Sequence, residues 1–227
     1  MIKTILWDID GTVLDFLAAE RNSLKASFKK FNLGECSDET VAKYSEINMS
    51  YWERLEKGEL TKAQVLVERF VEFLAKMNIT AVDAETLSMN YEAGLSDTIV
   101  FVDNADMLLK DLSRNYKQYA VTNGALAVQQ KKLIKSGLID IFDGVFISDE
   151  VGFEKPSKLF FEYVLKNIEP CEKNEILIVG DSLTSDMQGG NNIGIKCCWY
   201  NPERITNNKS VKIDFEIHNL SELSEYI

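Results

Sequence analysis

Histidine is nearly absent from this chain of 227 residues, because His218 is the only one. A zinc site that needs two histidines, such as His-Glu-x-x-His, is therefore excluded. Any catalysis by a histidine would have to use His218. The sequence thus offers a single copy of the residue on which many hydrolases depend.

Cysteine is also scarce, with four residues and no Cys-x-x-Cys pair. Cys197 and Cys198 lie inside the apolar stretch 195–200. Such a position favours buried, reduced thiols over a disulfide or a zinc site.

Long apolar runs and an excess of basic residues are both missing. No run approaches the roughly 20 apolar residues of a membrane helix. Residues 1–7 are too short, and meet acidic residues too soon, to form a signal peptide. The net charge is −11, which disfavours nucleic acid polymers and anionic membranes as partners and is typical of solubility. We therefore expect a cytoplasmic protein without a membrane partner.

With only 3 prolines and 12 glycines, the chain has no evident flexible linker. An apolar strand near residues 2–7 is followed by helical periodicity over 15–95, which predicts a helical bundle. Four helices are expected there, over residues 18–31, 37–55, 61–77 and 83–91.

Strands and helices alternate after residue 95, which predicts a parallel sheet with helices on both faces. We expect an α/β fold, Rossmann-like, from residues 1–14 and 96–227, with a helical bundle (15–95) inserted after the first strand. Strands are predicted at 117–121, 144–147, 175–179, 195–199 and 215–217. Helices are predicted at 105–114, 126–135, 158–167 and 185–192, with a last one near Ser221.

Polar residues follow the first predicted strand at Asp8 and Asp10. Two carboxylates that close are unfavourable unless a cation or a proton relieves them. Magnesium prefers such carboxylates together with waters and substrate phosphate. Gly11 allows the chain to turn sharply. The segment therefore predicts a magnesium site.

Two later strand ends carry matching chemistry. Thr122, Asn123 and Gly124 offer a hydroxyl and free backbone N–H groups at the start of a helix, an arrangement that binds phosphate oxygens. Asp181 directly follows another strand and can ligate the same cation. Asp186 lies near the start of the next helix, where it can hold a ligand or a metal-bound water in place.

Lys155 is a basic residue expected beside these carboxylates. Pro156 sets a helix start, so Lys155 would stand outside the strand ends and neutralise a transferring phosphoryl group. Each feature alone is compatible with a turn, a loop or a helix cap. The prediction rests on all of them occurring in this order at strand ends.

Together these motifs resemble the haloacid dehalogenase-like (HAD) hydrolase superfamily. Its four motifs correspond to residues 8–12, Thr122, Lys155 and residues 180–186, so the resemblance spans nearly the whole chain. The helical insert is similar to the family's mobile cap. The acid at Asp10 argues against the family's dehalogenases, which lack it.

The resemblance implies a magnesium-dependent phosphatase. Asp8 would attack phosphorus and form an aspartyl-phosphate. Asp10 would protonate the leaving group and then activate water. Asp8, the backbone carbonyl of Asp10, and Asp181 would hold magnesium.

The same resemblance assigns the remaining site residues. Thr122, Asn123 and Lys155 would bind the phosphoryl oxygens. Asp186 would support the ligands from behind. The expected partner is a small phosphorylated metabolite, and the chain is expected to be a monomer or a weak homodimer.

Residues 51–54, 121–124 and 147–152 are similar to the pyrimidine 5′-nucleotidase branch, which hydrolyses nucleoside monophosphates. Tyr51, Trp52 and Arg54 either contact a base or form bundle core and a solvated charge, and both readings stay open. The alternative within the superfamily is a phosphoglycolate or sugar-phosphate phosphatase or mutase.

Two readings outside the superfamily are weaker. Response-regulator receiver domains also accept phosphate on aspartate, but they are shorter and have no helical insert. Residues 180–183 spell Gly-Asp-Ser-Leu, the signature of GDSL esterases. There the motif lies near the N-terminus and the histidine follows Asp-x-x, whereas here Phe215 precedes His218 at that offset.

Overall fold

A computed structural model describes residues 1–227, which form two compact units. The larger unit comprises Met1–Asp15 and Val100–Ile227, and the smaller comprises Phe16–Ile99. That the smaller unit acts as a cap domain stays a prediction.

The larger unit contains one sheet of six parallel strands, in the order β3-β2-β1-β4-β5-β6. The strands are β1 (Thr4–Trp7), β2 (Lys117–Thr122), β3 (Gly144–Ile147), β4 (Ile176–Gly180), β5 (Lys196–Tyr200) and β6 (Phe215–Ile217). The predicted Rossmann-like α/β fold is confirmed. The chain reverses its direction of winding between β1 and β4, the position at which ligands bind in such sheets.

The two units contain nine α-helices. The smaller unit holds α1 (Phe16–Phe31), α2 (Asp38–Glu56), α3 (Lys62–Lys76) and α4 (Ala84–Leu95). The larger unit holds α5 (Ala105–Leu112), α6 (Leu126–Ser136), α7 (Ser148–Val151), α8 (Lys158–Asn167) and α9 (Gln188–Ile193). None of these helices is both long enough and apolar enough to cross a membrane.

Two predicted helices differ from the structure. The helix expected over 185–192 begins as a π-helical turn, Leu183–Met187, before α9. The Ser182 hydroxyl accepts from the Ser185 amide and starts this turn early. The helix expected near Ser221 is a 3₁₀ segment, Leu220–Glu225, because its two buried leucines are three residues apart, which matches a three-residue turn.

The two faces of the sheet bury different residues, because side chains alternate along each strand. Leu6, Val121 and Ile178 share one apolar core with residues of α8 and α9. On the other face Trp7 Nε1 donates to Gln118 Oε1 at 3.0 Å. Gln118 Nε2 donates in turn to the Leu109 carbonyl of α5 at 2.8 Å, so both buried polar groups are satisfied.

Cys197 and Cys198 of β5 are buried and unbridged. The prediction of buried, reduced thiols is therefore confirmed. Burial raises the pKa of Cys197 to about 11, so its reactive thiolate is disfavoured.

The smaller unit is held together by aromatic packing. Tyr44 lies at the centre, with its ring centroid 4.9 Å from Phe70, 5.2 Å from Phe73 and 5.1 Å from Tyr91. Such pairs contribute roughly 0.5–1.5 kcal/mol each beyond burial. The helical periodicity of residues 15–95 therefore reflects one packed aromatic core.

A buried polar network accompanies this aromatic core. Glu20 accepts from Asn48 Nδ2 at 2.9 Å and from the Tyr91 hydroxyl at 3.3 Å. Arg69 is paired with Glu92 and is 1% exposed. Burial raises the pKa of Glu20, although its hydrogen bonds act in the opposite direction. The bundle thus encloses charged groups of opposite sign, and removal of one would leave the others buried without a counter-charge.

Candidate active site

Three neighbouring strands bring the predicted residues to one edge of the sheet. Thr122 is the last residue of β2, Asp8 directly follows β1, and Asp181 directly follows β4. These strands are adjacent in the order β2-β1-β4. Because parallel strands end on the same side, residues from distant parts of the chain meet there.

Lys155 lies between two of the carboxylates. Its Nζ is 2.6 Å from Asp8 Oδ1 and 2.6 Å from Asp186 Oδ1, and it also donates to the Val121 carbonyl at 2.8 Å. Lys155 is 1% exposed. Burial alone would lower the pKa of Lys155, but Asp186 and Asp8 raise it above its ordinary value. The side chain is thus held as an ammonium.

The carboxylates of Asp8, Asp181 and Asp186 form an acidic cluster. One oxygen from each lies within 4.8 Å of the others. The pKa of Asp8 is raised to about 7, mainly by burial. Lys155 lowers this pKa, and the carboxylate of Asp186 raises it. Burial, followed by Asp8 and Asp186, raises the pKa of Asp181 well above its ordinary value. Three carboxylates therefore face one ammonium, an arrangement that favours a further cation.

The turn after β1 closes tightly against Asp181. The Thr12 hydroxyl lies 3.2 Å from Asp8 Oδ2 and 3.2 Å from Asp181 Oδ1. Gly11 has φ +96°, and a Cβ there would approach Asp181 Oδ2 to 2.6 Å. Only glycine accommodates both the backbone angle and this contact.

Asn123 joins the loop after β2 to Lys155. Its Nδ2 donates to the Lys155 carbonyl at 3.0 Å, and its Oδ1 accepts from the Lys155 amide at 2.9 Å. The Asn123 side chain therefore fixes the lysine's backbone. Phosphate binding by Asn123 and Thr122 stays a prediction.

The N–H groups at the start of α6 were expected to be free, and for two of them this is wrong. The Gly124 amide donates to Ser148 Oγ at 3.3 Å, and the Leu126 amide donates to Asp149 Oδ2 at 3.0 Å. A carboxylate is a favourable partner for a helix N-terminus. The segment after β3 thus caps α6.

Asp10 makes contacts that the sequence did not indicate. Its carboxylate accepts from Lys132 Nζ at 2.7 and 2.9 Å and from Gln129 Nε2 at 2.7 Å. It is absent from the cluster of three aspartates, so any role of Asp10 at a metal would fall to its backbone carbonyl, as predicted. The only sequence signal for the two partners is their spacing of three on one helix.

A further contact missed from the sequence is that of Trp199. Its Nε1 donates to the Asp181 carbonyl at 2.8 Å. Trp199 belongs to the strand next to β4, so only the sheet order brings it there.

The three residues proposed for the helical unit lie on α2. Tyr51 is buried, and the Arg54 guanidinium lies 5.1 Å from its ring centroid. Trp52 Nε1 donates to Asn48 Oδ1 at 3.1 Å. These contacts lie within the bundle, and a role in binding a base stays a prediction.

Ser182 and His218 hydrogen-bond elsewhere. Ser182 Oγ accepts from the Ser185 amide, as a helix cap does. His218 Nδ1 lies 2.7 Å from the Asn201 carbonyl. Neither contact joins the two residues, so the site offers no serine–histidine pair of the esterase kind.

Comparison with known proteins decides the family. A family model described as haloacid dehalogenase-like hydrolase matches residues 5–200. The chain belongs to this family. Its six-stranded sheet and its cluster of aspartates at the strand ends are thus those of a HAD-like hydrolase.

Three relatives align over almost the full chain. HAD-hydrolase YfnB of Bacillus subtilis is 36% identical over 97% of this chain and 93% of that protein. Pyrimidine 5′-nucleotidase PynA of Streptococcus pneumoniae is 34% identical with the same coverage. Pyrimidine 5′-nucleotidase YjjG of Escherichia coli is 28% identical over 98% of this chain and 96% of its own.

A solved structure supports the same assignment. The crystal structure of YfnB, described as bound to magnesium, superimposes with a TM-score of 0.93 and 35% identity. The match covers 99% of this chain and 97% of that chain. This chain is therefore similar to YfnB in both its sequence and its backbone structure.

Proposed function

We propose that this HAD-like hydrolase is a magnesium-dependent phosphomonoester phosphatase with Asp8 as its nucleophile. The observation that carries the proposal is the Asp8 carboxylate held 2.6 Å from Lys155 Nζ, inside a cluster with Asp181 and Asp186. A carboxylate beside an ammonium and a set of candidate metal ligands suits attack on a phosphate ester, whose developing charge needs positive groups nearby.

In the first step, an Asp8 carboxylate oxygen attacks phosphorus and the bond from phosphorus to the ester oxygen breaks. The leaving oxygen takes a proton from Asp10 and departs as an alcohol. Asp8 then carries the phosphoryl group as an acyl phosphate, and Asp10 is a carboxylate. Covalent catalysis of this kind splits one difficult step into two.

In the second step, a water attacks the same phosphorus. Asp10 accepts a proton from that water while the bond from phosphorus to the Asp8 oxygen breaks. Inorganic phosphate leaves, Asp8 is again a carboxylate and Asp10 is again protonated. One residue serves as acid and then as base, help that is worth about 10²–10⁴-fold.

Positive charge and hydrogen-bond donors around the phosphoryl group come from Lys155, Thr122 and Asn123. Lys155 is buried and remains charged between Asp8 and Asp186. A buried ammonium needs no rearrangement to meet charge that develops during transfer. Asn123 keeps Lys155 in place through two hydrogen bonds to its backbone.

The acidic cluster suits magnesium. Three carboxylates within 4.8 Å of one another, of which Asp8 and Asp186 are buried, exceed the single positive charge of Lys155. Magnesium takes one or two carboxylates together with substrate phosphate. Asp8, Asp181 and the Asp10 carbonyl would hold it, with Asp186 behind them. When bound, it would neutralise the carboxylates and the transferring group.

For the substrate, we propose a nucleoside 5′-monophosphate with a pyrimidine base. Support comes from the two relatives named pyrimidine 5′-nucleotidases, at 34% and 28% identity over nearly the whole chain. Tyr51, Trp52 and Arg54 are the proposed contacts to the leaving nucleoside. A phosphoglycolate or sugar phosphate is the alternative substrate for the same chemistry.

The test is phosphate release from a panel of nucleoside monophosphates, sugar phosphates and phosphoglycolate, each with magnesium and with EDTA. We expect release only with magnesium, and fastest with UMP or dTMP. Faster release from sugar phosphates or phosphoglycolate would keep the mechanism and replace the substrate. A folded protein that releases phosphate from none of them would contradict the phosphatase proposal.

A further inference from the structure

The carboxylate of Asp10 is held by two side chains of one helix. Lys132 Nζ lies 2.7 Å from Asp10 Oδ1 and 2.9 Å from Oδ2, and Gln129 Nε2 lies 2.7 Å from Oδ2. Both residues belong to α6 and both are 2% exposed. Residues three apart lie on the same helix face. Gln129 and Lys132 thus form a clamp on the carboxylate of Asp10, the Asp10 clamp.

The loop before α6 is shaped around this clamp. Gly124 has φ +149°, and a Cβ there would approach Gln129 Nε2 to 2.7 Å. A side chain at position 124 would therefore push the amide away from Asp10. The glycine that ends the Thr122 segment thus keeps open the space that the Gln129 side chain fills.

The side-chain amide of Gln129 lowers the stability of the fold, because one of its two polar atoms has no partner. Its Oε1 is buried and has no hydrogen-bond partner. A buried acceptor without a partner is unfavourable, whereas an aliphatic side chain of similar size would leave none. The hydrogen bond that Nε2 donates to the Asp10 carboxylate therefore explains why position 129 carries an amide.

We infer that Lys132 and Gln129 are positioning residues that fix the orientation of the Asp10 carboxylate for proton transfer. The inference rests on the proposed function, in which Asp10 first gives and then takes a proton. A group with both tasks must keep one orientation towards the reacting atoms, and small displacements reduce the rate strongly. Two donors from one rigid helix meet that requirement.

The inference makes different predictions for two kinds of ester. A nucleoside monophosphate has a strongly basic leaving oxygen that needs a proton from Asp10. p-Nitrophenyl phosphate has a weakly basic leaving group that departs without one. Water activation in the second step needs Asp10 for both esters.

The variants are Lys132→Met, which removes the charge at similar length, Gln129→Leu, which removes the amide, and Lys132→Arg as a conservative rescue. The exposed neighbours on the same helix supply matched controls, Lys131→Met and Gln130→Leu. Circular dichroism and thermal melting establish that each protein is folded. Steady-state and rapid-mixing kinetics are then measured on both esters with magnesium.

We expect kcat on the nucleoside monophosphate to fall roughly 10–100-fold in Lys132→Met and Gln129→Leu, with KM within about threefold of the parent. On p-nitrophenyl phosphate, these variants should release one equivalent of nitrophenolate per enzyme in a burst and then turn over slowly. Lys132→Arg should recover most of the lost rate, and both controls should match the parent.

Equal losses on both esters without a burst would overturn the inference, as would a folded Gln129→Leu and Lys132→Met with parental kinetics. If Lys132→Met does not fold, Gln129→Leu decides by the same two measurements. A parent enzyme that hydrolyses neither ester would remove the proposed function and this inference together. An active parent with unaffected variants would remove only the inference.

Discussion

At the scale of single residues, Asp8 is in an environment that opposes its own charge. Burial raises its pKa to about 7, and the neighbouring carboxylate of Asp186 contributes in the same direction. Lys155 offsets part of this effect through a contact of 2.6 Å. A buried carboxylate with a pKa raised in this way is typical of functional sites, as is expected for the proposed nucleophile.

Replacing Asp8 by asparagine tests the proposed role of Asp8 as the nucleophile. Asp8→Asn should lower phosphate release by roughly 10³-fold or more, because the amide oxygen is a poor nucleophile. Its melting temperature without metal should equal or exceed that of the parent, since one of the crowded carboxylates is removed while Lys155 keeps Asp186 as its partner. Phosphate release and thermal melting measure the two effects, with the exposed Asp140→Asn as a control. Retained turnover would remove Asp8 from its proposed role.

At the scale of elements, the site depends on short segments that are joined by hydrogen bonds between side chains and backbone. The segment after β3 supplies Ser148 and Asp149 to the start of α6, and Asn123 holds the backbone of Lys155. Each of these contacts joins the chain segment that follows β2 to the segment that follows the neighbouring strand β3. The loops carry the proposed chemistry, and the helices and strands keep them in register.

The buried polar network of the helical unit gives an element-scale prediction. Arg69→Leu should lower the free energy of unfolding by about 3–5 kcal/mol, because it leaves Glu92 and the neighbouring Glu20 without their buried cation. Lys76, which pairs with Glu72 at the surface, supplies the control. Lys76→Met should change stability by no more than about 0.5 kcal/mol. Urea denaturation measures both, and equal effects would contradict the prediction.

At the scale of the whole molecule, a chain with net charge −11 buries part of its acidity at one site. The folded state holds the pKa of Asp8 at about 7, above the ordinary value of an unfolded aspartate. Between these values the folded state binds more protons than the unfolded state. Stability of the metal-free protein should therefore fall as the pH rises through that window.

Magnesium should reverse this loss where the carboxylates are ionised, because cations and protons compete for the same oxygens. We expect the rise in melting temperature on adding magnesium chloride to be larger near about pH 8 than near about pH 5. Thermal melting with EDTA and with magnesium at each pH measures it. The Asp8→Asn variant should show a smaller difference. An equal rise at both values would argue against these carboxylates as the ligands.

The sequence predicted which of the candidate site residues lie at the ends of strands. Asp8, Thr122 and Asp181 were assigned to three strand ends, and the sheet order confirms that these strands are neighbours. The prediction succeeded because apolar runs identify buried parallel strands and their carboxyl ends share one edge. The helical character of residues 15–95 followed from periodicity in the same way.

The partners of these residues could not be read from the sequence. Lys132 and Gln129 are more than a hundred residues from Asp10, and Trp199 meets Asp181 from the next strand. Nothing local in residues 126–136 distinguishes a lysine that faces Asp10 from one that faces solvent. The orientation of a helix face depends on packing against the whole sheet.

The sequence by itself determined the fold class, the residues at the strand ends and the membership in a hydrolase family that those residues indicate, because local patterns encode strands, helices and their termini. Only the tertiary structure decided which donors hold each carboxylate. Asp149 accepts a hydrogen bond from the first residue of α6, Asn123 binds the backbone of Lys155, and Lys132 binds Asp10. All three contacts join segments that are distant in the chain. Such contacts arise from the register of packed elements, which no local pattern specifies.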